Sequence, residues 1–459
     1  MATQNRSIKR LAPPLDAFIV DGFHFCEPDV HHYFLTHAHS DHTCGLHGSF
    51  DLGTIYCSGI TARVLRAQLG VKQKLLHTLE PGEKVEINGV VVTALDAGHC
   101  PGSLMFLFVH TESGHRALHT GDCRASPPII SSAVTATTCL PCRGAPGAAG
   151  PSSSNEQQAP RNGLLDTIYL DTTYAQPRWA FPPQPDSLRM LSNIVAMERE
   201  REPATLFIVG SYQVGKEKAI AAVAKAAGGR ALVPANRALS LRLCHEWDDA
   251  LHTESAEASD VCVHVSPLGG MGQEAHETMK ETLQRSNGRY KAVVMFRPTG
   301  WTFTRALADG GVNALPRVWA ENDGCTRMYG VPYSEHSSHT ELHNLVSALK
   351  PNRIVPTVNA ESAEQREKLI GQFAKSMDGT ANKRTLAWHF RQKTEEEKAA
   401  EAEAAKAKDA MSLDAVDLAQ QQRLWSELTG GGASSSSAEA AHACVAAAAC
   451  ASSSIAAHR

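Results

Sequence analysis

The stretch YFLTHAHSDH (33–42) decides the reading of this chain, and within it His37-Ala38-His39-Ser40-Asp41-His42 carries the signal. Its opening residues are apolar and β-favouring, so the segment starts as a strand and ends in a polar loop. Two histidines two apart on extended backbone project to the same side. An aspartate and a histidine on the following turn then reach a second position close by. Four imidazole or carboxylate donors in six residues are costly to bury for packing alone, because such groups need partners. A histidine-rich polar loop is the plain alternative. Ala38 and Ser40, small spacers rather than further histidines, argue against it. The chain holds 22 histidines, and imidazole is the commonest metal ligand.

Three positions further out complete a set. His99 follows a β run in ALDAGHCPGS (94–103), Asp122 follows another in ALHTGDCR (117–124), and His336 lies far downstream in VPYSEHSSHTEL (331–342). Each alone is an ordinary polar residue. Together they place donors at strand ends beside glycine-containing loops, where α/β enzymes build sites. The surrounding residues support dense structure over 1–130. ITARVLRAQLG (60–70) has helical spacing and a terminal glycine. KVEINGVVVTAL (84–95) sets Asn88-Gly89 between two β-rich runs, a hairpin signal. SLMFLFVHTESGHRALHTGD (103–122) is a second strand pair around a Ser-Gly turn.

Residues 131–163 change to Ser, Ala, Gly and Pro, and are expected to be a disordered surface insertion, since they have little apolar surface to offset ordering entropy. The Cys139–Cys142 CxxC within it lacks the second ligand pair of a structural zinc site and reads as coincidence. Structure is expected again from LLDTIYLDTTY (164–174) to about residue 390, with strands alternating with helices as in α/β proteins. Residues 391–459 read as a charged stretch able to form a solvated helix, then low complexity expected to be disordered.

Composition bounds the function. The 459 residues suggest two or three domains at about 100–200 residues each. With 42% hydrophobic and 20% charged residues the chain has the make-up of a globular protein with a substantial core. No apolar run is long enough for a membrane-spanning helix, so no membrane partner is expected. MATQNRSIKRLAPPLDAF (1–18) has no apolar core for a secretory signal. Twelve scattered cysteines then suggest free thiols in a reducing cytosol or nucleus. Net charge is −4, with seven Lys/Arg against ten Asp/Glu in 391–459, so the sequence shows no strongly basic balance of the kind common in nucleic-acid binders. Bound divalent metals are absent from that sum.

On these motifs the sequence resembles the metallo-β-lactamase superfamily, and within it the β-CASP nucleases of the DNA cross-link repair family. The likeness spans roughly 12–390 without the 131–163 insertion. VDGF with Asp21, THAHSDH, AGHCPGS with His99 and HTGDCR with Asp122 look like the four superfamily motifs, in order. LDTTY with Asp171, SEHSS with His336 and IVPTVN with Val358 look like β-CASP motifs A, B and C. GSYQVGKEK (210–218) and RPTGWT (297–302) also resemble the DNA-acting members. Gly98 and Cys123 depart from the pattern, where asparagine and an aromatic residue are expected. The larger members' zinc finger and long disordered region have no counterpart, so the chain looks like a catalytic module with a short lead-in.

The resemblance implies an α/β fold, an αββα metallo-β-lactamase sandwich over 1–175 and 325–390 with a β-CASP domain inserted at 176–324. It implies two divalent metal ions, with zinc as the expected metal. His37, His39 and His99 would hold one, Asp41, His42 and His336 the other, with Asp122 bridging and Asp21 orienting ligands from behind. Asp171 would lie near the site, holding metal or a phosphate, and is counted with Asp41, His42, Asp122 and His336 as catalytic. Such a pair of ions suits phosphodiester hydrolysis, since it activates water and clamps attacking and leaving oxygens, so no Ser-His-Asp triad is needed.

GSYQVGKEK fails as a Walker A loop on spacing. By composition it is at least as well a capped helix with solvated lysines. The resemblance favours a pocket for a 5′-phosphate, with Lys216 and Lys218 joined by Thr172, Thr173, Ser337 and Ser338. The expected function is a nuclear, metal-dependent 5′→3′ DNA exonuclease of interstrand cross-link and double-strand break repair, acting on single-stranded or damaged DNA. An Artemis-type structure-selective endonuclease is an alternative. An RNA-processing β-CASP nuclease is another, which Val358 opposes because the resemblance implies histidine there in RNA-acting members. A dead scaffold is opposed by the complete donor set, and a small-molecule hydrolase by the long segment between Asp171 and His336.

Overall fold

The structure, a computed structural model, describes residues 8–138, 164–268, 273–303, 318–320, 324–360 and 362–377. The 391–459 tail and the Cys139–Cys142 pair lie outside the described residues.

Four short strands, β1 (Phe18–Val20), β2 (His32–Phe34), β3 (Thr54–Cys57) and β4 (Leu76–Thr78), form an all-parallel sheet in that order. Alternation along each strand sends Phe18, Val20, Phe34 and Tyr56 to one face and Ile19, Tyr33, Ile55 and Cys57 to the other. Helix α1 (Gly59–Leu69) covers the second face with Ala62 and Leu65. The Ser58 side chain accepts from the Thr61 N–H at its start, and Gly70 at φ 68° ends it where the sequence signal lies.

The chain then builds a second sheet. β5 (Lys84–Ile87) and β6 (Val90–Asp96) meet at Asn88-Gly89, with φ of 50° and 73°, as the hairpin signal predicts. β7 (Leu104–His110) and β8 (Arg116–His119) continue the antiparallel ladder. Helix α2 (Pro127–Thr138) precedes β9 (Thr167–Leu170), which pairs parallel with β8. The two sheets face each other through Phe18, Phe34, Val92, Ala94, Phe106 and Phe108. The Phe34 ring lies 4.9 Å from Phe106 and 5.0 Å from Phe108. Each such fully buried phenyl contributes about 1.5–3 kcal/mol.

Helix α2 corrects the expected 131–163 insertion, whose first eight residues are helical. Ile129 and Ala133 pack into the core, and the small residues of SSAVTATT allow that close approach. Residues 139–163 lie outside the described residues.

Next comes α3 (Gln184–Arg201), then β10 (Thr205–Ser211), α4 (Glu217–Ala227), β11 (Arg230–Leu232), α5 (Ala235–Leu243), β12 (His252–Thr253), β13 (Val261–Pro267), α6 (Gln273–Arg285), β14 (Ala292–Pro298), β15 (Val318–Ala320) and β16 (Thr326–Val331). These strands form a third sheet, ordered β12-β11-β13-β10-β14-β16-β15, parallel except at edge strand β15. Its near-continuous apolar strands, such as TLFIVGS, are buried on both faces, by α3, α4 and α5 on one and α6 on the other. β16 pairs with β14 in parallel, so the inserted sheet runs past the expected boundary at 324 to Val331.

Finally α7 (His339–Leu349), β17 (Arg353–Pro356) and α8 (Ala363–Phe373) return to the second sheet, where β17 pairs with β9. Helices α2, α7 and α8 pack on its outer face through Ile129, Leu345, Leu369 and Phe373. The layers are therefore helix, sheet, sheet, helix. No helix among the described residues is long and apolar enough to cross a membrane.

Candidate metal centre

β6 and β8 both run antiparallel to β7, and β9 and β17 run parallel to β8, so all four end on one edge of their sheet. His99 follows β6, Asp122 follows β8 and Asp171 follows β9. The end of the facing sheet supplies Asp21 after β1 and His37, His39, Asp41 and His42 after β2. The two edges are joined where the Leu104 N–H donates to the Thr36 carbonyl at 2.8 Å. Gly121, at φ 52°, permits a closer approach, since a Cβ there would lie 2.6 Å from the Thr36 Cβ. That contact brings Asp122 beneath the histidines. His336 arrives from the loop after β16.

Asp122 is the hub. Its Oδ2 lies 3.3 Å from His42 Nε2, 3.7 Å from His99 Nε2, 3.8 Å from His37 Nε2 and 3.9 Å from His336 Nε2. Each of these rings turns Nε2 inward because Nδ1 is held from behind. His42 Nδ1 donates to Asp21 Oδ2 at 2.7 Å, and His336 Nδ1 to Asp171 Oδ2 at 2.8 Å. His99 Nδ1 donates to the Glu335 carbonyl at 2.9 Å, and His37 Nδ1 to Thr36 Oγ1 at 3.0 Å. His39 is reversed. Its Nε2 donates to the Val214 carbonyl at 3.1 Å, leaving Nδ1 3.2 Å from His99 Nε2. Partners behind each ring of this kind fix the tautomer of metal-ligating histidines.

The electrostatics divide the rings. Burial alone would raise the Asp122 carboxyl, but His42 and His336 hold it well below the usual range. Burial, reinforced by neighbouring rings, pushes His37 and His99 well below 6.5, so their lone pairs are free of protons. Burial also opposes charge on His336, yet Asp171 and Asp122 outweigh it and raise that ring to about 9.

The donors fit a cation. His37 Nε2 is buried with no hydrogen-bond partner, a desolvated lone pair that costs free energy unless something occupies the centre. Donor atoms fall into three overlapping sets, each within 4.8 Å: His37, His39, His99 and Cys100; His37, His42 and Asp122; His99, Asp122 and His336. Asp41 is outside these sets. Its side chain is 75% exposed and its Oδ2 lies 3.5 Å from His42 Nε2. Burial pushes the Cys100 thiol well above its ordinary range, and the residue packs with Val64, Val214 and Cys244.

Asp171 spends its carboxylate on the protein as well as on His336. It accepts the Cys123 N–H at 3.2 Å and both the N–H and hydroxyl of Thr173, at 3.0 and 2.7 Å. The other hydroxyl candidates are similarly engaged. Thr172 donates to the Val358 carbonyl, Ser337 bridges the Cys123 carbonyl and the Ala125 N–H, and Ser338 caps α7. Lys216 is buried with Nζ 3.7 Å from Glu335 Oε2, whereas Lys218 is exposed. Thr36, Val214 and Glu335 are site residues beyond the motif donors. Thr36 and Glu335 are signalled by their place beside His37 and His336, and Val214 by its place within GSYQVGKEK (210–218).

A family profile described as "DNA repair metallo-beta-lactamase" matches residues 249–362, and one described as "Beta-lactamase superfamily domain" matches 26–141. The chain is 37% identical over 361 residues to the DNA cross-link repair protein SNM1 of Arabidopsis thaliana, covering 78% of this chain and 68% of that one. The chain belongs to the DNA cross-link repair family of metallo-β-lactamase proteins. It is 33% identical over 365 residues to the human DNA cross-link repair 1A protein, covering 78% of this chain and 31% of that protein. It is 30% identical over 334 residues to the 5′ exonuclease Apollo of Danio rerio, covering 71% of this chain and 48% of that protein. The chain thus spans about a third of the human relative's length and about half of the zebrafish one's. The family implies divalent metal ions at the His/Asp cluster. Of the two departures from its motifs, Gly98 adopts φ 63°, and Cys123 is buried in the core while its backbone ties Asp171 to Ser337.

Proposed function

We propose that this chain is a metal-dependent 5′→3′ DNA exonuclease acting in interstrand cross-link and double-strand break repair in the nucleus. The observation that carries the reading is the single Asp122 oxygen ringed by four inward-facing imidazoles, one of them with an unsatisfied buried nitrogen, in a chain of the cross-link repair family. In this reading His37, His39 and His99 hold one ion, and Asp41, His42 and His336 hold the other, with Asp122 between. Imidazole and carboxylate donors in this mixture suit zinc. Two such ions, when bound, supply Lewis-acid stabilisation of the phosphodiester and lower the pKa of water.

The protein's own residues do the positioning. Asp21 and Asp171 keep His42 and His336 in the tautomer that presents Nε2, the Glu335 carbonyl does so for His99, and the Val214 carbonyl holds His39 in the tautomer that presents Nδ1. A ring aimed by a fixed acceptor needs no rearrangement when substrate arrives. Lys218 stands exposed at the start of α4, where a helix N-terminus and an ammonium group both favour a terminal 5′-phosphate. Val358 supports DNA over RNA as substrate.

The experiment uses 3′-labelled single-stranded DNA and RNA, each with a 5′-phosphate or a 5′-hydroxyl. Stepwise shortening from the 5′ end of 5′-phosphorylated DNA is expected. Cleavage confined to hairpin or overhang junctions would instead assign a structure-selective endonuclease, and equal cleavage of RNA would overturn the substrate assignment.

A further inference from the structure

Among the described residues, the large apolar side chains left exposed include two aromatics, Tyr212 at 43% and Trp301 at 53%. Both stand beside the metal centre. β10 and β14 are parallel neighbours in the inserted sheet, and Tyr212 follows the first while Trp301 follows the second. Open parallel sheets bind ligands outside the carboxyl ends of their strands. The Tyr212 ring lies 6.3 Å from His39. Trp301 lies 4.7 Å from Tyr174, which lies 6.0 Å from His336.

Trp301 is held rigidly despite its exposure. Trp179 meets it edge-on at 4.8 Å and 88°. Gly300 lets the turn press onto the aromatic cluster, because a Cβ there would lie 2.7 Å from Tyr174 Cζ and 2.9 Å from Phe181 Cε1. A pre-set indole offers stacking area with little entropy left to lose. Arg297, four residues earlier on β14, has a buried Nε with no hydrogen-bond partner among the described residues. An aromatic face and a guanidinium with an unpartnered Nε are the two kinds of element by which proteins hold single strands.

We propose that Trp301, backed by Tyr174 and Trp179, is a stacking platform for one nucleobase of the DNA strand engaged at the metal centre, with Arg297 contacting its phosphate. This rests on the nuclease reading and names how that site grips its strand.

The test compares wild type, Trp301→Ala and Trp301→Phe on 5′-phosphorylated oligonucleotides in which a single abasic residue is moved along the strand. Cleavage rates are measured, and binding is read separately by fluorescence anisotropy with chelator present. On the intact strand, Trp301→Ala should weaken binding and raise KM about tenfold with kcat little changed, and Trp301→Phe should restore most of the loss. At one abasic position wild type should lose the same factor, and Trp301→Ala should lose nothing further. Loss in Trp301→Ala that is equal at every abasic position, or no loss at all, overturns the platform. Should wild type bind the strands without cutting them, the nuclease reading fails, while the anisotropy scan still decides the platform.

Discussion

Asp21→Asn isolates the charge behind the centre. Asp21 sits in the left-handed region at φ 50°, which asparagine tolerates, so the backbone is not strained by the change. Its Oδ1 accepts the Thr36 N–H at 2.8 Å, and its Oδ2 accepts both the Thr36 hydroxyl and His42 Nδ1 at 2.7 Å. Asparagine keeps the first acceptor but sets an amide N–H where Oδ2 stood. His42 must then move its proton from Nδ1 to Nε2, the nitrogen that faces Asp122 at 3.3 Å. The lone pair needed by a cation is lost. A hydrogen bond to a charged group contributes about 1.5–3 kcal/mol, and partners behind metal ligands typically alter affinity or activity by about 10–100-fold. Competition against a fluorescent metal chelator should show one of two ions weakened by such a factor, and the initial rate on 5′-phosphorylated DNA should fall in parallel. Circular dichroism should be unchanged. Wild-type affinity for both ions together with a wild-type rate would refute the claim that Asp21 sets the His42 tautomer.

Asp122→Ala removes the shared oxygen and should abolish cleavage while leaving the circular dichroism spectrum unchanged; full activity with normal metal content would sink the two-ion arrangement. Deleting 139–163 should leave activity near wild type, whereas deleting 131–163 truncates α2 and removes buried Ala133, and should lower the melting temperature measurably. Lys218→Ala should slow cleavage of 5′-phosphorylated DNA about tenfold and spare 5′-hydroxyl DNA; equal loss on both ends would assign Lys218 to general backbone attraction. Burial lowers His119 to about 4 from 6.5, so on acidification the unfolded chain takes up the proton first. Stability should therefore fall between pH 6.5 and 4, by up to about 3 kcal/mol from this ring, and denaturant melts of His119→Asn should show a shallower acid loss.

The parts of this protein legible from sequence are those with local causes. The HAHSDH donors, the Asn88-Gly89 hairpin and the α1 stop at Gly70 each follow from adjacent residues, and the sandwich follows from the family resemblance that the ordered motifs carry. What stays hidden is tertiary. The extent of α2 is concealed because its small residues resemble low complexity until Ala133 is seen against the second sheet. β16 joins the inserted sheet only through its pairing with β14. The carbonyls of Val214 and Glu335 have no side-chain signature, yet they aim His39 and His99. The serines and threonines beside the motifs look like phosphate donors in sequence, while in the structure their hydroxyls brace strand ends and cap α7.

The His/Asp cluster is proposed as a two-ion centre for cutting DNA. The most direct measurement is titration of metal into chelator-stripped protein while nucleotides released from 5′-phosphorylated single-stranded DNA are counted. Stripped protein should release nothing, and activity should rise to a plateau at two ions per chain. Undiminished cleavage by the stripped protein, or failure of the chain to bind metal at all, would contradict it.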